Sequence, residues 1–110
     1  MERQEIFKLI EEERERQNLL HPEWHGNDHG LVVLAEEFGE VAKALYELKR
    51  TASAEYRNSI DPVEWEIDMD VRARELEDEL VQVAAVCVRW LENIEEGVSE
   101  IESSESAERT

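Results

Sequence analysis

The sequence has few of the residues that a many-stranded sheet needs at its turns. Only four glycines and two prolines occur among 110 residues, and no glycine-rich loop is present that would bind phosphate through backbone N–H groups. β-Sandwiches, barrels and Walker-type nucleotide sites are therefore disfavoured. A single cysteine, Cys87, excludes an internal disulfide, and we expect it to pack on an apolar helix face.

Basic residues are also scarce. The 12 Lys and Arg stand against 29 Asp and Glu, which gives a formal net charge of −17 and a pI near 4.4. Nucleic acids and anionic membranes need a basic binding face, so we expect neither as a partner. A divalent cation is the natural counter-charge. No apolar run resembles a signal peptide or a membrane span, which predicts a cytoplasmic protein.

The patterning that is present is helical. Apolar residues recur at helical spacing in three segments, which predicts helices over residues 2–20, 31–50 and 71–95. Residues 21–30 are predicted as a loop and residues 51–68 as a linker with at most a short helical turn. Residues 97–110, with four serines and four glutamates, are predicted as a disordered acidic tail after a helical domain of residues 1–96.

The predicted fold class is all-α. Three long helices, with room for one short extra helix, are expected to form an antiparallel bundle. A chain of 110 residues with 41% apolar content has a small core. Oligomerisation is therefore expected to complete the bundle.

Three glutamates lie close together on the second predicted helix. Glu36, Glu37 and Glu40 fall within an arc of roughly 100° at helical spacing, and like charges one turn apart repel each other. Glu37 also lies at the margin of the apolar stripe, about 40° from Val41. A cation that relieves both the repulsion and the partial desolvation explains this arrangement best.

A fourth carboxylate occupies the apolar face of the third predicted helix. Glu79 lies about 40° from the centre of that face, and Gln82 and Glu75 extend a polar strip beside it. Buried carboxylates are paired, protonated or metal-bound, and Mg²⁺ takes carboxylate oxygens together with waters and substrate phosphates. These residues predict a two-helix carboxylate site for Mg²⁺. The alternative is a structural ion pair between Glu79 and a base of the first helix, such as Arg14 or Arg16.

Two segments resemble the MazG-like, all-α nucleoside triphosphate pyrophosphohydrolases. They are LAEEFGEVAKAL at residues 34–45 and LEDELVQVAAVCVRWLE at residues 76–92, and the resemblance covers roughly residues 5–95. The family carries an EExxE element on one helix and an ExxD element on a later one, which jointly hold Mg²⁺. Glu36, Glu37 and Glu40 match the first element, and Glu79 matches the first position of the second. Gln82 stands where the family usually has Asp, and its neutral amide binds Mg²⁺ more weakly.

The resemblance implies cleavage of a nucleoside triphosphate between its α- and β-phosphates, which gives the monophosphate and pyrophosphate. The metal, Mg²⁺ or Mn²⁺, would be held by Glu36, Glu37, Glu40, Glu79 and Gln82. Glu37, Glu40 and Glu79 form the expected catalytic set, with Glu37 as acceptor of the proton from an activated water. Family members generally form dimers or dimers of dimers, so a homodimer or homotetramer is expected.

Three further residues are candidate substrate ligands. Lys43, one turn beyond Glu40, and Arg16, in the polar middle of the first helix, are expected at phosphate oxygens. Trp24 is expected either to stack on the base or to act as a hydrophobic plug between helices. The three histidines of residues 21–30 recur every four residues, but a proline and two glycines interrupt that segment, so we interpret them as loop residues.

Three alternative functions would each explain part of this pattern. A carboxylate-bridged di-iron bundle requires Glu-x-x-His pairs on facing helices, and the sequence has none. A catalytically lapsed site, marked by Gln82, would leave a helical oligomerisation or regulatory module. A DNA-mimicking acidic protein would explain the charge but not the inward-facing Glu79.

Overall fold

Within the part of the chain that the structure describes, all regular secondary structure is helical. This computed structural model describes residues 1–109, with side chains described for residues 1–95. Its helices are α1 (Arg3–Leu20), α2 (Gly26–Ala52), α3 (Ala54–Arg57) and α4 (Pro62–Arg109). The all-α class is confirmed, and α3 is the short helical turn expected between the long helices. Helix α4, as bounded here, runs through most of the tail predicted for residues 97–110; the side chains of that tail lie outside the described residues, so its separation from the helical domain stays a prediction.

Helix α2 begins earlier than predicted, at Gly26 rather than at Leu31. Gly26 has a φ of 86°, a conformation that favours glycine, and it turns the chain into the helix. At Gly30 a Cβ would lie 2.7 Å from Cη2 of Trp24, so only glycine allows the Trp24 ring this close. The prediction of a loop through residue 30 is therefore wrong, because these two glycines start and pack the helix, and His29 is helical.

Helix α4 also begins earlier than predicted, at Pro62 rather than near Val71. The Asp61 carboxylate accepts a hydrogen bond of 2.7 Å from the backbone N–H of Val63, as the side chain of an N-cap residue does. Proline is favoured in the first turn because its missing N–H has no helical partner there. The Asp-Pro pair is thus a helix start rather than part of a linker.

Helices α2 and α4 form the main packing contact and run in opposite directions. Trp90 Nε1 donates to Asn27 Oδ1 at 2.8 Å, so the start of α2 lies beside the later part of α4. Trp65 Nε1 donates to the carbonyl oxygen of Thr51 at 2.7 Å, so the end of α2 lies beside the start of α4. Helix α1 packs against α4 as well.

The hydrophobic core within residues 1–95 is thin. Its buried apolar residues are Ala44, Ala85 and Val86. Large apolar side chains on all three long helices remain exposed, among them Phe7, Leu19, Leu31, Phe38, Val63 and Leu91. Among the described residues, no helix carries an apolar stretch long enough to cross a membrane.

Candidate active site

All of the predicted site residues line one of two cavities between the helices. The larger, about 740 Å³, is called the loop cavity because the α1–α2 loop forms part of its wall; it is also lined by Arg16, Trp24, Glu36, Glu37 and Gln82. The smaller, about 460 Å³, is called the helix cavity; its lining from α2 and α4 includes Glu40, Lys43 and Glu79. The structure thus divides the predicted site between two cavities.

Glu37 on α2 and Glu79 on α4 lie close enough for their charges to interact. Both residues are half-buried, and each has a carboxylate oxygen, Oε2, that is buried and accepts no hydrogen bond from the described residues. A buried acceptor without a partner costs about 1–3 kcal/mol, and more when it is charged. Among the described residues, these two oxygens are therefore buried acceptors without a donor.

Burial and repulsion raise the pKa of both carboxyl groups. For Glu37, burial is the largest cause of the raised pKa, followed by the charges of Glu79, Glu40, Glu13 and Glu36. For Glu79, burial again comes first, followed by the charges of Glu40, Asp78 and Glu75. Acids from α1, α2 and α4 therefore form one electrostatic cluster, although they line two cavities.

The two bases that were alternative partners of Glu79 are engaged elsewhere. Arg14 Nε lies 2.6 Å from Glu92 Oε1, and Arg16 Nη2 lies 2.6 Å from Glu13 Oε1. Neither pairs with Glu79, so the ion pair considered from the sequence is not formed. Arg16 does lie near enough to Glu37 for the carboxylate to raise the pKa of the guanidinium, after the larger effects of Glu13.

The buried oxygens of Glu37 and Glu79 are of the kind that a hard divalent cation takes. In residues 1–95, no group of three or more His, Cys, Asp or Glu side chains is arranged to hold a metal ion as it stands. Glu36 and Glu40 are exposed, and Gln82 is half-buried. The donor chemistry therefore fits Mg²⁺ or Mn²⁺, while the coordination shell is incomplete in this conformation.

Trp24 packs between α2 and α4. Its ring centroid lies 6.3 Å from that of Trp90, and its Cη2 reaches the backbone at Gly30. This position matches the hydrophobic-plug interpretation, although Trp24 also lines the loop cavity. Its Nε1 is buried and donates to no acceptor in residues 1–95, which leaves a donor available to a ligand.

The three histidines line the loop cavity together. The rings of His25 and His29 meet edge to face, with centroids 5.2 Å apart. His21 and His25 flank the helix ends, at the C-cap of α1 and the N-cap of α2. The prediction of loop residues is thus confirmed for His21 and His25, whereas His29 lies in α2; their four-residue spacing was the sequence signal for this clustering.

Arg89 on α4 is a site residue that the sequence reasoning missed. It is 9% exposed, and its Nη2 donates to the carbonyl oxygens of His21 and, at 3.0 Å, Glu23. Burial lowers the pKa of Arg89, and the nearby Arg14 lowers it further. A lone arginine within the apolar run VAAVCVRWL was the available signal, because such a residue needs buried partners.

The chain matches no protein-family model, no curated protein and no solved structure. The MazG-like resemblance therefore depends on its two motifs alone. The site itself offers two buried, unpartnered carboxylate oxygens, a cluster of acids from three helices and a cavity with aromatic and cationic walls.

Proposed function

We propose that this protein is a Mg²⁺-dependent nucleoside triphosphate pyrophosphohydrolase, which cleaves between the α- and β-phosphates to give a nucleoside monophosphate and pyrophosphate. The observation that carries the proposal is the pair of buried, unpartnered oxygens on Glu37 and Glu79. Two desolvated carboxylates on different helices, neither of them neutralised, cost the fold stability unless a cation uses them. The MazG-like elements around them supply the reaction class.

Mg²⁺, or Mn²⁺ in its place, suits this site because both ions prefer oxygen ligands. The residues that would hold it are Glu36, Glu37, Glu40, Glu79 and Gln82. Because Glu36 and Glu40 are exposed, their side chains are free to turn toward an ion beside Glu37 and Glu79. A divalent ion held there would supply charge neutralisation for the phosphates and would lower the pKa of a bound water.

Glu37 is the proposed general base. It lies near the other acids of the cluster, where a carboxylate can accept a proton from an attacking water. Glu40 and Glu79 contribute to its raised pKa through their negative charge. No nucleophilic side chain is required, because water attacks the phosphorus in line with the leaving group.

The loop cavity is proposed to receive the nucleotide. Its volume of about 740 Å³ lies within the range of small-molecule sites. Trp24 supplies an aromatic surface and a free N–H for the base. Arg16 in this cavity and Lys43 in the helix cavity are proposed phosphate ligands on either side of the acids.

A homodimer or homotetramer is proposed to complete the bundle. Leu31, Phe38 and Leu45 recur at seven-residue spacing on α2 and are all exposed, Phe38 at 66%. Such a stripe along a helix is typical of a helix–helix seam. With so few buried apolar residues in the described chain, a second copy would supply the missing apolar contacts.

The second candidate function is the lapsed module. Gln82 at the position of an expected carboxylate favours it, as does the absence of a ready-made metal group within residues 1–95. Such a protein would keep the fold and the oligomer but neither bind Mg²⁺ tightly nor turn over substrate.

The test incubates the protein with Mg²⁺ and each nucleoside and deoxynucleoside triphosphate, and separates the products by anion-exchange chromatography. We expect monophosphate and pyrophosphate in equal amounts, and no product when EDTA removes the metal. Diphosphate and orthophosphate would contradict the proposed cleavage site. No product, together with no Mg²⁺-dependent rise in Tm, would favour the lapsed module.

A further inference from the structure

A buried guanidinium without a counter-ion lines the loop cavity. Arg89 is 9% exposed and lines this cavity, yet no carboxylate of residues 1–95 forms an ion pair with it. Removing a cation from water is costly unless a negative group compensates. The nearby positive charge of Arg14 adds to this cost, and the negative charge of Glu92 offsets part of it.

The hydrogen-bonding capacity of Arg89 is only partly used. A guanidinium has five N–H donors, and both protein acceptors found for Arg89 bind Nη2, namely the carbonyl oxygens of His21 and Glu23. Nε and Nη1 donate to no acceptor among the side chains and backbone of residues 1–95. These remaining N–H groups can each donate a charge-assisted hydrogen bond to an oxygen of an anion.

Arg14 is a second poorly exposed arginine, and unlike Arg89 it has an ion-pair partner. Its side chain is 12% exposed, and its Nε lies 2.6 Å from Glu92 Oε1. A further bond joins its Nη1 to Asn18 Oδ1. Arg14 lines neither cavity, so burial alone does not explain why Arg89 lacks a carboxylate.

We propose that Arg89 is the anion subsite of the loop cavity and binds a phosphate group of a polyphosphate ligand. The same cavity is lined by the carboxylates of Glu36 and Glu37, so its charges complement a phosphate chain that carries a divalent cation. That the anion is the pyrophosphate portion of a nucleotide depends on the proposed function. That an anion binds at Arg89 does not.

The test measures binding of pyrophosphate to the full chain by calorimetry and by tryptophan fluorescence, once with Mg²⁺ and once in EDTA. Fluorescence reports on this site because the Arg89 guanidinium carbon lies 5.8 Å from the Trp24 ring centroid. We expect binding in both conditions, weaker in EDTA because Glu36 and Glu37 then repel the anion. Arg89→Gln should weaken binding about tenfold or more in both conditions, whereas the control Arg74→Gln, at an exposed position of the same helix, should leave it within about twofold.

Wild-type affinity in a folded Arg89→Gln protein would overturn the proposal, as would an equal loss in Arg74→Gln or no binding by the wild type in either condition. If Arg89→Gln does not fold, the proposal is tested by NMR on the wild-type protein. The Nε–H resonance of Arg89 should shift on addition of pyrophosphate, and the absence of a shift would overturn the proposal. Arg89-dependent binding without hydrolysis of any nucleotide would leave the anion subsite standing and remove the proposed function.

Discussion

Two regions of the α2–α4 contact differ in how their polar groups are satisfied. At the closed end, defined by Thr51, Tyr56, Trp65 and Asp68, Trp65 Nε1 donates to the Thr51 carbonyl at 2.7 Å and Tyr56 Oη donates to Asp68 Oδ2 at 2.5 Å. In the acidic centre, defined by Glu37 and Glu79, buried oxygens accept no hydrogen bond from residues 1–95. The closed end is explained by stability alone, whereas the acidic centre leaves two acceptors open to the cation that we propose.

The difference predicts opposite effects of substitution. In the closed end, removal of a partner leaves a donor or acceptor unsatisfied and lowers the free energy of unfolding. In the acidic centre, removal of one charge relieves desolvation and repulsion, so stability is kept or gained while function is lost. A residue whose removal stabilises the fold and abolishes activity belongs to the site rather than to the scaffold.

The largest effect is expected from Glu79→Gln, which keeps the shape of the side chain and removes its charge. We expect turnover of the nucleotide substrate to fall by at least about 100-fold, because a metal ligand and its charge are lost. In EDTA the Tm should stay the same or rise, because Glu79 no longer repels Glu37. Turnover at saturating Mg²⁺ and thermal unfolding in EDTA are the two measurements.

The matched control is Glu77→Gln, which changes the net charge by the same amount on an exposed position of the same helix. Neither turnover nor Tm should change beyond a small effect, since exposed charges contribute little. A fall in Tm for Glu79→Gln in EDTA would show instead that Glu79 has a structural partner, and the contrast between the two regions would disappear.

Helical periodicity was sufficient to find the acidic centre. The angle between successive residues of a helix is fixed, so the placement of Glu37 and Glu79 beside apolar positions predicted their burial, and both are half-buried. The same arithmetic predicted three long helices and thus the all-α class. It works because burial of a helix face is a local consequence of sequence spacing.

Features that depend on residues far apart in the chain could not be predicted in this way. Position 30 needs glycine because the Trp24 ring occupies the space that a Cβ would take, and spacing along one helix does not reveal that contact. The role of Arg89 depends on loop carbonyls more than sixty residues away. The start of α4 could have been predicted, because an Asp-Pro pair is typical of a helix start. The same pair is also typical of turns, which favoured the prediction of a linker.

An intermediate effect is expected from Trp65→Phe in the closed end. The substitution removes the bond from Nε1 to the Thr51 carbonyl and weakens the contact with the Arg57 guanidinium, which lies 4.6 Å from the Trp65 ring centroid. We expect a loss of about 2 kcal/mol in the free energy of unfolding, measured by urea titration. Turnover per folded molecule should be unchanged.

The control for this variant is Val63→Ala, at a 65% exposed position two residues away, which should cost less than about 0.5 kcal/mol. A comparable loss from Val63→Ala would mean that the closed end is no more stabilising than the surface around it. Loss of turnover in folded Trp65→Phe would mean that the closed end contributes to the site as well.

The smallest effect, a few degrees in Tm, is expected from a change of pH. The acidic centre should change Tm in the acidic range and the closed end in the alkaline range. Raised folded-state pKa values mean that the native state holds more protons than the unfolded chain, so stability falls as pH rises through the window between the two values. For Glu37 and Glu79 that window begins near the ordinary carboxyl pKa of about 4.3. In EDTA, Tm should therefore rise as pH is lowered from neutral toward this value, and the rise should be smaller in Glu79→Gln.

Tyr56 has a raised pKa for a different reason, since its hydroxyl donates to Asp68 and this bond is the largest cause of the shift. Its contribution is fully present at neutral pH and is lost only as pH rises above the ordinary tyrosine value of about 10. Tyr56→Phe should therefore flatten the alkaline limb of the Tm profile and leave the acidic limb unchanged. If Glu79→Gln changed the alkaline limb and left the acidic limb unchanged, the pKa of the Glu79 carboxyl would not be raised in the folded protein. Its burial would then be no reason to propose a cation beside it.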